Sequence, residues 1–235
     1  MASLRAVAAC VGITGDFRVV REFFGYASPP PWNLAPMSQQ ASLPQSLSLL
    51  TQVKRCQQTH FHLDCVRVGT GSDNLLAAVD EQNLDCAVQM ARDIYGAAGI
   101  GIGRYNRWWL IPLSDNTGYD VIDDDCEASD LVDEYDAPGG GADVFFVQAY
   151  AGSTVGLHPW KGDGVVVESR ETDFLGTART FSHELGHYFD LGHENDKPNN
   201  LMCQTSKANP MPGSTQLNSG QVSDVKDHDD MKGAC

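Results

Sequence analysis

The chain has 235 residues, with 31 Asp and Glu against 16 Lys and Arg, a formal net charge of −15, 42% apolar and 20% charged residues. That is the composition of a globular protein with enough chain for one sizeable domain or two small ones. The acidic balance excludes a binder of nucleic-acid backbones, which needs clustered Lys and Arg, and no run of about 18 apolar residues is present to form a membrane span.

Residues 1–57 have the texture of a leader, pro-segment or linker. Pro29, Pro30, Pro31, Pro36 and Pro44 break regular structure, the stretch from Ser38 to Gln58 is rich in Ser, Gln and Leu, and Arg18 to Phe24 reads as a small amphipathic piece. From His60 the pattern alternates, with Phe61, Leu63 and Cys65 on one side and His62, Asp64 and Val66 on the other, as in a strand. Leu84, Val88, Ala91, Ile94 and Tyr95 then recur at helical spacing until Gly96 to Gly99.

A second strand is expected from Ile100 to Ile111 and a third from Ala142 to Ala149, where Val144 to Val147 is a continuous apolar run typical of a buried strand. Between them, Asp115 to Asp136 reads as an acidic loop. Its carboxylates lack the spacing of a 12-residue calcium loop, so a solvated acidic face is expected, with Ca2+ as the secondary reading. Gly139 to Gly141 is a loop, since no Lys-Ser/Thr follows to make a phosphate cradle. Val165 to Val167 forms a fourth strand, and a helix is expected from about Ser219 to Asp230.

The cysteines are Cys10, Cys56, Cys65, Cys86, Cys126, Cys203 and Cys235, with no Cys-x-x-Cys pair. So many thiols point to disulfides in a secreted protein, with Cys203–Cys235 one candidate pairing; the odd count leaves at least one thiol over. Met1 to Cys10 is too short for a complete secretory signal.

Residues 183–193 read His-Glu-Leu-Gly-His-Tyr-Phe-Asp-Leu-Gly-His. Histidines at i and i+4 share one face of a helix, so His183 and His187 can turn ring nitrogens toward one metal ion, and Glu184 can take a proton from water beside it. Zinc catalysis needs a third protein ligand. His193 is the candidate, with Asp190 or Asp224 as lesser alternatives; no glutamate follows Glu194 to supply a later carboxylate. A continuing helix would rotate His193 by about 600° and lift it about 9 Å, so the chain must turn sharply after His187.

With Met202 nine residues after His193, this stretch resembles the metzincin clan of zinc endopeptidases, whose motif is His-Glu-x-x-His-x-x-Gly-x-x-His followed by a Met-turn. The short spacing is similar to the matrixin branch, and a matrixin-like or reprolysin-like type is implied. The tyrosine that follows the astacin methionine is absent, since Cys203 and Gln204 follow Met202. The clan's glycine falls at Asp190, which predicts a positive φ at Asp190 or a bend shared with Gly192.

The resemblance implies an α+β fold: a twisted mixed five-stranded sheet with backing and active-site helices, and a small C-terminal subdomain with one helix. Residues 58–235 would form the catalytic domain, the upper subdomain 58–193 and the lower 194–235. It implies Zn2+ on His183, His187 and His193, Met202 beneath, and Glu184 passing a proton from zinc-bound water to the leaving amine. A protein or peptide substrate would lie along an edge strand, identified with Gly162 to Ser169, over a pocket walled by Pro210, Met211 and Pro212.

A secreted monomer is expected. The N-terminal segment reads first as a plain arm, with Cys10 or Ile13 to Asp16 as the candidates for a zymogen switch. The alternatives are a proteolytically silent scaffold with structural zinc and a hydrolase of small amides; Glu184 favours an enzyme. Among other residues, His60 and His62 read as an exposed strand face before a second metal pair, and His158 with Trp160 as loop packing or substrate contact.

Overall fold

The computed structural model describes residues 17–21, 58–69, 81–112, 118–137, 140–159, 164–169, 174–209 and 213–233. Cys10, Ile13 to Asp16, most of the Ser/Gln-rich stretch, Trp160, Pro210 to Pro212 and Cys235 lie outside the described residues.

Strand β1 (Phe17–Arg21) is followed by β2 (His60–Val68), helix α1 (Glu81–Ala97) and β3 (Gly101–Pro112). Helix α1 stops at Gly99, whose φ of 81° lets Ile100 N–H reach back to the Tyr95 carbonyl. Next come β4 (Val121–Ile122), α2 (Asp125–Glu134), β5 (Ala142–Val147), β6 (Ala149–Tyr150), β7 (Gly156–Leu157) and β8 (Gly164–Glu168). The long helix α3 (Phe174–Tyr188) and the short α4 (Ser219–Asp227) complete the order.

The main sheet runs β1-β3-β2-β5-β8-β7, parallel at its centre and antiparallel at both edges. Alternation sorts its residues between two cores. Phe61, Leu63, Val144, Phe146, Val165 and Val167 meet apolar residues of α1 and α3 on one face. Val66, Val68, Phe145, Val147 and Val166 meet Ala128, Leu131 and Val132 of α2 on the other. Burial on both sides explains the unbroken apolar run of β5. Among the described residues, no helix is long and apolar enough to cross a membrane.

Five strands of this mixed sheet fall within 58–235, as expected, and β1 adds a sixth from the segment read as a leader. There Phe17 to Arg21 pairs antiparallel with Pro112 to Trp108. The segment 115–136 is not simply a loop. Asp124 caps α2 by accepting from the Cys126 and Glu127 N–H groups, and Ala128, Leu131 and Val132 form a buried stripe while Asp125, Asp130 and Asp133 face solvent.

The Gly162–Ser169 stretch is not an edge either. Gly156 and Leu157 pair outside Val167 and Val166, leaving β7 outermost among the described strands. The His60/His62 face is not exposed: His60 is buried, His62 is half-buried and accepts the Arg104 N–H at 2.9 Å. Beside them, buried Asp64 accepts from Asn106, Trp108 and Gly141. Neither Cys126 nor Cys203 is in a disulfide, so the Cys203–Cys235 bond is not formed; Cys203 is buried in the floor described next.

Candidate metal centre

Helix α3 carries Arg179, His183 and His187 at successive i+4 steps, one stripe along its length. It ends at Asp190, with φ 62°. Asp190 N–H bonds the His187 carbonyl at 2.9 Å and Leu191 N–H the Gly186 carbonyl at 3.0 Å, the paired bonds of a left-handed helix stop. Buried Leu191 folds back over Gly186. The reversal returns His193 to the helix face, with its Nε2 3.1 Å from that of His187.

The ligand nitrogens of His183, His187 and His193 all lie within 4.8 Å of one another, on a buried, a half-buried and an exposed residue respectively. His183 Nδ1 donates to the Leu201 carbonyl and His187 Nδ1 to the Leu191 carbonyl, each at 2.7 Å. Because a carbonyl only accepts, both Nδ1 atoms carry the proton, which leaves each Nε2 as a lone-pair donor. Burial pushes His183 down to about 3, against the pull of its carbonyl bond. Burial also lowers His187 and His193, with the Lys207 charge assisting at His193. Three neutral imidazoles, two of them with tautomers fixed by carbonyls, are the donor set a divalent zinc-like ion takes, and this group could hold one.

Met202 forms the floor. It is fully buried, and a Cβ on Gly186 would lie 2.3 Å from its Sδ, so only glycine lets the thioether pack under the helix there. The Asn200 side chain accepts the Met202 N–H at 2.8 Å, making the turn, and pairs with the Gln221 amide of α4 at 2.8 and 3.2 Å. Gln221 also closes the capping box with Asn218. Buried Arg179 holds the same turn from above, donating to the Leu201 and Cys203 carbonyls, Ser214 Oγ and Thr205 Oγ1.

Glu184 is buried beside His183, and burial pushes its carboxyl up to about 8, opposed by a backbone N–H from His158 and by the Arg179 charge. Strand β7 passes so close that a Cβ on Gly156 would sit 2.5 Å from Thr180 Cγ2 and 2.9 Å from Glu184 Cγ. His158 follows β7, its Nδ1 donating to the Gly164 carbonyl at 3.0 Å and its ring 6.0 Å from Tyr188.

Of the residues singled out from the sequence, the fold brings the ring nitrogens of the three histidines together and packs Met202 against Gly186 of the same helix. Sequence reading passed over Arg179, Asn200, Gln221 and the backbone of His158. Arg179 was legible as the i−4 neighbour of His183 on the same stripe, and Asn200 as a turn former two residues before Met202. The approach of Gln221 and His158 depends on chain distant in sequence. Asp224 contributes nothing to the group.

No protein-family model and no curated protein matches the sequence. Among solved structures, the fold is similar to metalloproteinase-II from Bacteroides fragilis, with TM-score 0.49 and 13% identity over 73% of this chain. The match covers 53% of that structure's chain, so this chain spans about half its length.

Proposed function

We propose that the chain is a zinc-dependent endopeptidase of metzincin type, with His183, His187 and His193 as metal ligands and Glu184 as general base. The observation that carries the reading is the convergence of three neutral imidazoles, two of them locked by carbonyls, beside a buried carboxyl. Zinc held there supplies a Lewis acid that lowers the pKa of water and polarises a carbonyl.

The chain's own residues do the rest. Glu184, one residue on from His183, takes the proton of the attacking water and hands it to the departing amine, so the proton count closes over the cycle. The His158 N–H steadies its carboxylate form. Strand β7, outermost among the described strands, would offer its outer edge to an extended peptide, which would add to the sheet beside Glu184. Met202 and the turn around it keep the His183 ring upright from below.

Incubating the purified chain with a mixed peptide library, with its metal content measured in parallel, tests the reading. Equimolar zinc and internal peptide cleavage are expected, with Glu184→Ala retaining zinc while cleavage drops on the order of 10²–10⁴-fold. Zinc-loaded wild type that cleaves no peptide would sink it.

A further inference from the structure

We infer that Arg179 is a positioning residue for the metal-binding histidines, holding the Leu201 carbonyl where it fixes the ring of His183. The inference rests on the metal-centre reading above. All four hydrogen bonds of the buried guanidinium go to neutral oxygens: Nε to Ser214 Oγ at 2.9 Å, NH1 to Thr205 Oγ1 at 3.1 Å, and NH2 to the Leu201 carbonyl at 3.3 Å and to the Cys203 carbonyl. A buried cation with no carboxylate among its hydrogen-bond acceptors is expensive for a fold even with the through-space attraction of Glu184, and an apolar side chain would fill the space at lower cost. What an apolar side chain lacks is the rigid fork of donors.

The fork grips the two carbonyls that flank Met202. Ser214 and Thr205 hold its other nitrogens, so it cannot swing. The Leu201 carbonyl it holds is also the acceptor of His183 Nδ1, at 2.7 Å, one lone pair for each donor. Since Arg179 and His183 stand one turn apart on α3, the helix, the guanidinium, the carbonyl and the imidazole form a closed ring. The peptide unit that carries this carbonyl is anchored on its far side, where the Met202 N–H donates to Asn200 Oδ1 at 2.8 Å, and Arg179 holds its carbonyl end.

The test uses the full chain, with zinc affinity measured against a chromophoric chelator and the visible absorption of the cobalt(II) form recorded. Arg179→Met is expected to lower zinc affinity about 10- to 100-fold, the range for groups that orient a ligating histidine, and to shift the cobalt bands. Arg179→Lys, which can reach one carbonyl but not both, should recover part of each. Ser214→Ala removes a single anchor of the fork and should give a smaller loss in the same direction.

If Arg179→Met does not fold, Ser214→Ala decides. Lower affinity with shifted bands supports the role, whereas a lower melting temperature with wild-type affinity and spectrum overturns it. Folded Arg179 variants that bind zinc as wild type does, with unchanged cobalt bands, also overturn it. A wild-type chain that binds neither ion overturns the metal centre itself and the inference with it, a result distinct from wild type and variants binding alike.

Discussion

At Asp190 one torsion decides where His193 goes, because φ 62° turns the chain back after α3 instead of letting it climb away. Aspartate tolerates this conformation better than most residues, and its carboxylate lies 4.0 Å from His228 Nε2. Asp190→Gly is expected to be neutral or stabilising by up to about 1 kcal/mol, and Asp190→Val destabilising by about 1–2 kcal/mol; urea unfolding of the two variants checks both signs. Gly186 is constrained by space instead. With Met202 Sδ where its Cβ would go, Gly186→Ala should cost about 1–3 kcal/mol and lower zinc affinity, while Gly192→Ala, whose Cβ meets nothing, should leave zinc affinity unchanged. Equal zinc affinities for the two alanine variants would refute the Met202 floor.

Among the elements, β7 meets α3 at Gly156, whose lack of a side chain leaves room for those of Thr180 and Glu184. Gly156→Val would drive β7 off Thr180 and Glu184, and we expect it to lower peptide cleavage at least 10-fold while the three histidines keep their zinc. Cleavage rate and metal content measured on one preparation separate the two. The same contact shows why the edge was misread from sequence: two residues, Gly156 and Leu157, are too short to alternate visibly, whereas the apolar run of β8 announces a strand without saying which neighbour covers it. Helix α2 was hidden for a related reason. Its eye-catching residues are solvated carboxylates, and its buried stripe of Ala128, Leu131 and Val132 spans barely more than one turn.

For the whole molecule, buried Asp143 links stability to pH. Burial pushes its carboxyl up to about 8, against the Ala137 N–H it accepts and with the Asp136 and Asp64 charges adding to the rise. The unfolded chain gives up this proton near its ordinary value of 3.8, while the folded chain keeps it until about 8. The folded state therefore binds more protons in that window, and the Asp143 contribution, complete below about pH 4, is lost as pH rises through 8. The slope is at most about 1.4 kcal/mol per pH unit for one proton. Asp143→Asn, measured by urea unfolding from pH 4 to 9, should gain on wild type as pH rises; parallel curves would remove Asp143 as the cause.

What the sequence determined by itself is the local order and the candidate site residues. Alternation placed β2, helical spacing placed α1, and apolar or aromatic-rich runs placed β3, β5 and β8, while the i, i+4 histidines with Glu184 between them follow from helix geometry alone. The spacing to His193 also demanded a reversal, which Asp190 supplies. Tertiary structure decided the rest, because it depends on backbone groups far apart in the chain. The Leu201 carbonyl, 18 residues on, chooses the tautomer of His183, β7 packs against Glu184, and Arg179 and Gln221 hold the Met202 turn from opposite sides. Side-chain pattern records which face an element buries; it carries no record of which distant carbonyl will meet a given ring nitrogen.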